Sequence, residues 1–64
     1  MKEDREKALE DLEEIRKTNK FNIFTERRKV MQYANTNGHF HLVSYCGNDS
    51  GKYLELLKEL GEQK

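Results

Sequence analysis

The chain has a single cysteine, no apolar run longer than three residues and no net charge, and each shortage removes a class of protein. Cys46 alone cannot close an intrachain disulfide, and no Cys-x-x-Cys pair is available to grip a structural zinc. Met1 is followed by KEDREK instead of an apolar stretch, so no secretory leader is expected, and a reducing cytosol suits the lone thiol. A membrane helix needs roughly 20 consecutive apolar residues, so no membrane partner is expected either. Twelve basic side chains cancel twelve acidic ones, which argues against nucleic-acid binding driven by net charge. No repeat, low-complexity tract or linker interrupts residues 1–64, which read as a single small helical domain. A domain of this size buries only about 60% of the surface its unfolded chain exposes, and such chains often gain stability from a partner subunit.

What is present is helix-forming. Residues 2–17 are rich in Glu, Lys, Arg, Ala and Leu, with Ala8, Leu9, Leu12 and Ile15 on one face. Acids near its start and Arg16 and Lys17 at its end suit the helix dipole, and Thr18-Asn19-Lys20 ends it. Thr25 is placed to cap a second helix over 26–36, burying Val30, Met31 and Ala34 with Tyr33 at the edge, and Asn37-Gly38 ends that one. A last helix over 50–60 buries Tyr53, Leu56, Leu57 and Leu60 before Gly61 terminates it. The fold class is all-α, with three to four helices at about 2–17, 26–36, 39–46 and 50–60. Residues 39–46 could also alternate as a strand, but no second strand exists to pair with one, so the helix is preferred.

The stretch NGHFHLVSYCGNDSG, residues 37–51, gathers two histidines, the cysteine and an aspartate. His39, His41, Cys46 and Asp49 are all legitimate zinc ligands. Their spacing is poor, because a helix points residues 39 and 41 away from one another. His41 lies five residues from Cys46, too far round a helix to activate a thiolate, and cysteine also behaves as a small buried hydrophobe. Gly47-Asn48-Asp49-Ser50-Gly51-Lys52 faintly echoes a phosphate loop but lacks its buried strand and its Gly-Lys-Ser/Thr ending. The reading is therefore no catalytic residue, no metal and no cofactor, with a capping turn in their place.

The order Ile15-Arg16-Lys17-Thr18-Asn19-Lys20-Phe21-Asn22-Ile23-Phe24 places an Ile-Arg helix end, a turn and an Asn-hydrophobe-Phe triplet in succession. With Val30, Ala34, Gly38-His39-Phe40, Leu42-Val43, Tyr45 and Tyr53, it resembles a family of very small bacteriophage and prophage proteins of unknown function. The resemblance covers roughly residues 12–58 and departs from the family at Cys46-Gly47-Asn48-Asp49, where similar proteins continue a helix with a more acidic run. It implies a phage origin and a compact helical domain. The family has no assigned chemistry, so it supplies no catalytic residues.

Charge is unevenly spread: residues 1–17 carry seven acids against five bases, and residues 18–37 carry four bases against one acid. Arg27-Arg28-Lys29 sits in the first turns of the second helix, where bases work slightly against the dipole and helix formation does not explain them. Six aromatics in so small a chain exceed what a thin core absorbs. The expectation is a non-enzymatic phage accessory protein of the host cytoplasm. It would act as a homodimer by contact with a host or phage protein, as a modulator or inhibitor of a host enzyme or defence system. The candidate contact surface is Lys20, Asn22, Arg27, Arg28, Tyr33, Phe40 and Tyr45. The alternative is a small helical DNA-binding protein in which Gln32 and Asn35 read adenine.

Overall fold

In a computed structural model, residues 2–62 are described and form four helices: α1 (Lys2–Lys17), α2 (Arg27–Thr36), α3 (Phe40–Cys46) and α4 (Ser50–Glu62). All four expected helices are present, and residues 40–46 are helical rather than extended. The α1 helix packs most closely on α3 and also meets α2 and α4. The α3 helix touches both α2 and α4, which do not pack on one another. The Cα radius of gyration is 10.3 Å, against about 11 Å expected of a globule this long, so the monomer closes its own core.

That core is aliphatic. Ala8, Leu9, Leu12 and Ile15 of α1 and Tyr53, Leu56, Leu57 and Leu60 of α4 form one cluster with Ile23, Val30, Ala34, Leu42 and Cys46. Apart from Tyr53, no side chain capable of strong hydrogen bonding is fully buried among the described residues. The Tyr53 hydroxyl donates to the Ile23 carbonyl at 2.6 Å, which draws the α1–α2 connection onto α4 and satisfies both groups.

Several local expectations are corrected. Phe40 at the start of α3 is 60% exposed; the inward positions are Leu42 and Cys46, one turn apart. Met31 is only half-buried. Gly61 does not stop α4, which continues to Glu62, because no positive φ or tight turn is imposed there.

The caps also differ from the sequence reading. Thr25 does not cap α2; Glu26 precedes it and makes no side-chain cap bond. Asn22 acts one turn earlier: its Oδ1 accepts the Phe24 N–H at 3.0 Å while Glu26 Oε2 accepts the Asn22 N–H at 2.8 Å. The Asn22 side chain closes an Asx turn over residues 22–24, and the Glu26 carboxylate ties that turn to the start of α2. The bond from the Asn22 amide, then Lys29, hold the Glu26 carboxyl below its ordinary range. Gly38, at φ +82°, lets the His39 N–H reach back to the Ala34 carbonyl at 2.9 Å and ends α2 as expected.

Candidate interaction surface

The α2 helix displays Arg28, Lys29, Gln32, Asn35 and Thr36 outward and has no acidic residue of its own. Along its flank lies a shallow open groove of about 430 Å³, lined by Phe21, Lys29, Gln32, Tyr33, Thr36 and Asn37. Tyr33 is its centre. The Phe21 ring meets it edge-on at 5.4 Å, the His39 imidazole stacks near-parallel at 6.1 Å, and the Lys20 ammonium sits 5.3 Å from the ring centre. These contacts hold the tyrosine in one orientation before anything binds.

The position of His39 is set from outside its own segment. Asp11 of α1 accepts the Leu42 N–H at 3.1 Å, and its other oxygen lies 3.7 Å from His39 Nδ1. The second contact becomes an ion pair when the imidazole is protonated. His39, the residue before α3, offers no side-chain cap, so a carboxylate 31 positions earlier supplies the missing acceptor. Sequence reading missed Asp11 because it looks like one more charge on the polar side of α1; only its distance in space from residue 42 gives it this role.

The seven anticipated contact residues do not form one surface. Lys20 and Tyr33 adjoin at the groove, and Arg28 is exposed one turn before Gln32. Asn22 is spent on its Asx turn. Arg27 is half-buried and close enough to Cys46 and Tyr53 to act on both electrostatically. Tyr45 is half-buried on α3 under the Lys52 ammonium at 5.1 Å, and Phe40 projects from the start of that helix.

The residues of the 37–51 stretch point in different directions. His39 turns to Asp11 and Tyr33, while His41 is exposed and lines a small polar cleft with Asp4, Ser44, Tyr45 and Lys52. Cys46 is buried, its Sγ 3.4 Å from the Leu42 carbonyl, and burial pushes its thiol up to about 11, away from nucleophilic chemistry. Among the described residues, no three of His, Cys, Asp and Glu come close enough to share a metal ion. Asp49 is occupied in capping α4, its Oδ1 accepting the Lys52 N–H at 3.2 Å. No described helix is long and apolar enough to cross a membrane.

Comparison with protein families, with curated proteins and with solved structures found no match in any of the three.

Proposed function

We propose that this chain is a non-enzymatic accessory protein of phage or prophage origin that acts in the host cytoplasm by protein–protein contact. The observation that carries the reading is the Phe21–Tyr33 groove: a pre-positioned aromatic pair, open to solvent, flanked by lysines. Rigid aromatics that lose little freedom on binding are the usual anchors of protein interfaces. The phage origin and the modulation of a host enzyme or defence system rest on the family resemblance. The homodimer is supported by Phe24, Phe40 and Leu54, exposed at 53%, 60% and 61%, which the core closes without. Sedimentation equilibrium at micromolar concentration tests the dimer, and a 7.6 kDa species at every soluble concentration would remove it. Affinity capture from host cells tests the contact. One specific protein lost when Tyr33 is replaced by alanine, while Phe40→Ser retains it, is the expected result.

DNA binding is favoured by one separate observation. Arg28, Gln32 and Asn35 are exposed on α2 and share one stripe of its outer face by their spacing, on a helix without acids. Duplex titration at about 50 mM and about 200 mM salt tests it, since phosphate contacts weaken steeply with salt. No binding at the lower concentration ends that reading.

A further inference from the structure

We propose that the α2 groove receives an acidic protein segment carrying an apolar side chain, the apolar group seated on Phe21 and Tyr33 and the carboxylates meeting Lys20, Arg28 and Lys29. The inference rests on the protein-contact reading above and names the chemistry of the partner. Three observations select this occupant.

The first is charge. Lys20 and Lys29 stand at the groove and Arg28 is exposed on the same helix, while the nearby carboxylates are already engaged: Glu26 by the Asn22 amide and by Lys29 at 3.2 Å, and Asp11, behind His39, by the Leu42 amide. An acidic segment meets a complementary field there, and a basic one is repelled.

The second is the nature of the floor. Its lining is mainly apolar, built from the Phe21 and Tyr33 rings, so a partner offering charge alone leaves it exposed. This excludes the acidic side of a second copy's α1. Among the described side chains, the exposed ones there are Glu3, Asp4, Glu6, Lys7, Glu10, Glu14 and Lys17, without one apolar side chain to fill the groove. Exposed ion pairs are individually too weak to offset the freedom lost on association, so an apolar anchor is required.

The third observation concerns the Tyr33 ring. Binding of single-stranded nucleic acid would use its face as a stacking platform. The His39 imidazole stacks on that ring and the Lys20 ammonium lies over it, so the face a nucleobase would need is already partly taken. A side chain that packs beside the Phe21–Tyr33 pair has no need to displace either group.

The test is titration of the isotope-labelled protein, followed by amide shifts, with four probes of equal length. They are an Asp/Glu peptide with a central Leu-Phe pair, the same peptide with Ala-Ala at that pair, its Lys-for-acid counterpart, and an oligothymidine. Saturable binding of the first, with shifts centred on Lys29, Gln32, Thr36 and Asn37, is expected. The Ala-Ala peptide should bind at least tenfold more weakly and the basic peptide and oligonucleotide not at all. Because Tyr33→Ala risks disturbing the α2–α3 junction, the deciding variant is Gln32→Glu with Thr36→Glu, both exposed, which should reduce affinity at least tenfold in a protein with an unchanged fold. Equal binding by the Ala-Ala peptide, tighter binding of oligothymidine, or shifts mapping elsewhere would each overturn the proposal. Absence of peptide binding in a protein that still captures a host partner or dimerises overturns this inference alone; absence of all three overturns the protein-contact reading as well.

Discussion

The α1–α4 seam and the α2–α3 junction are held together by different physics. Eight of the thirteen core residues lie on α1 and α4, and seven of those eight are aliphatic. The junction contributes Val30, Ala34, Leu42 and Cys46, all of modest size, and owes its order to directed contacts instead: Asp11 on the Leu42 amide, His39 on the Ala34 carbonyl, and the stacked Tyr33 and His39 rings. Burial is non-directional and scales with apolar area, whereas a cap or a stack fixes an angle. Apolar burial therefore concentrates on α1 and α4, and directed contacts around the groove. Substitutions should separate the two.

The largest effect is expected at the seam. Leu56→Ala removes a fully buried side chain at a cost of about 2–5 kcal/mol. A domain of 64 residues has roughly 3–10 kcal/mol in total. Urea denaturation should show loss of most of the stability, and a shift of under about 1 kcal/mol, well short of that range, would mean that the seam is not the main source of stability.

Tyr53→Phe is next. It keeps the ring in the seam but strips the donor from the buried Ile23 carbonyl, and about 1–3 kcal/mol should be lost. If the loss is negligible, a carbonyl that is buried here must find another donor without cost. The comparison would then lose its clearest bridge between the two regions.

At the junction, Asp11→Ala should cost about 1 kcal/mol, as for loss of a helix cap. Amide exchange at Leu42 should accelerate more than exchange in α4. Uniform acceleration throughout the chain would show that the junction has no separate identity.

The effect that is absent at neutral pH appears in alkali. Burial raises the Cys46 thiol from 9.0 to about 11 and the Tyr53 phenol from 10.0 to about 12, so each is held neutral in the fold. A raised folded value means that their contribution is complete below about pH 9 and is lost as pH rises through about 12. Melting temperature measured from about pH 8 to about pH 11 should fall above about pH 9 in the parent chain. Cys46→Ala should cost about 1 kcal/mol at neutral pH and move the onset towards about pH 10, leaving only the Tyr53 part. An unchanged alkaline profile would show that the thiol is not shielded.

Helix content was legible because periodicity and composition agree in α1, α2 and α4: the inward residues of α1 and α4 are those that a 3.6-residue repeat selects. The short α3 was legible as a helix only through the lack of a partner strand. Its inward face was not, since Phe40 and Leu42 are equally apolar and only the packing of α1 decides between them. Local caps were half legible. Asn19, at φ 59°, ends α1 as its turn chemistry suggested, yet Asn22 displaced Thr25, because the chain makes an extra turn before α2 that no apolar period announces. Of the candidate surface, the basic residues could be named individually. Their division between outward Arg28 and inward Arg27 depends on the phase of α2, and the Tyr33–His39 stack depends on the turn at Gly38.

The cap that Asp11 provides also sets an order of events. A helix of seven residues is well below the roughly 12–15 that hold together alone in water. The carboxylate that α3 needs belongs to a segment made 31 residues sooner. As the chain leaves the ribosome or refolds from denaturant, α1 can begin to form by itself, while residues 40–46 remain unwound until α1 is there to receive them. His39, which backs the groove, is held by the same carboxylate, so Tyr33 gains its stacking partner in the step that seats α3 on α1.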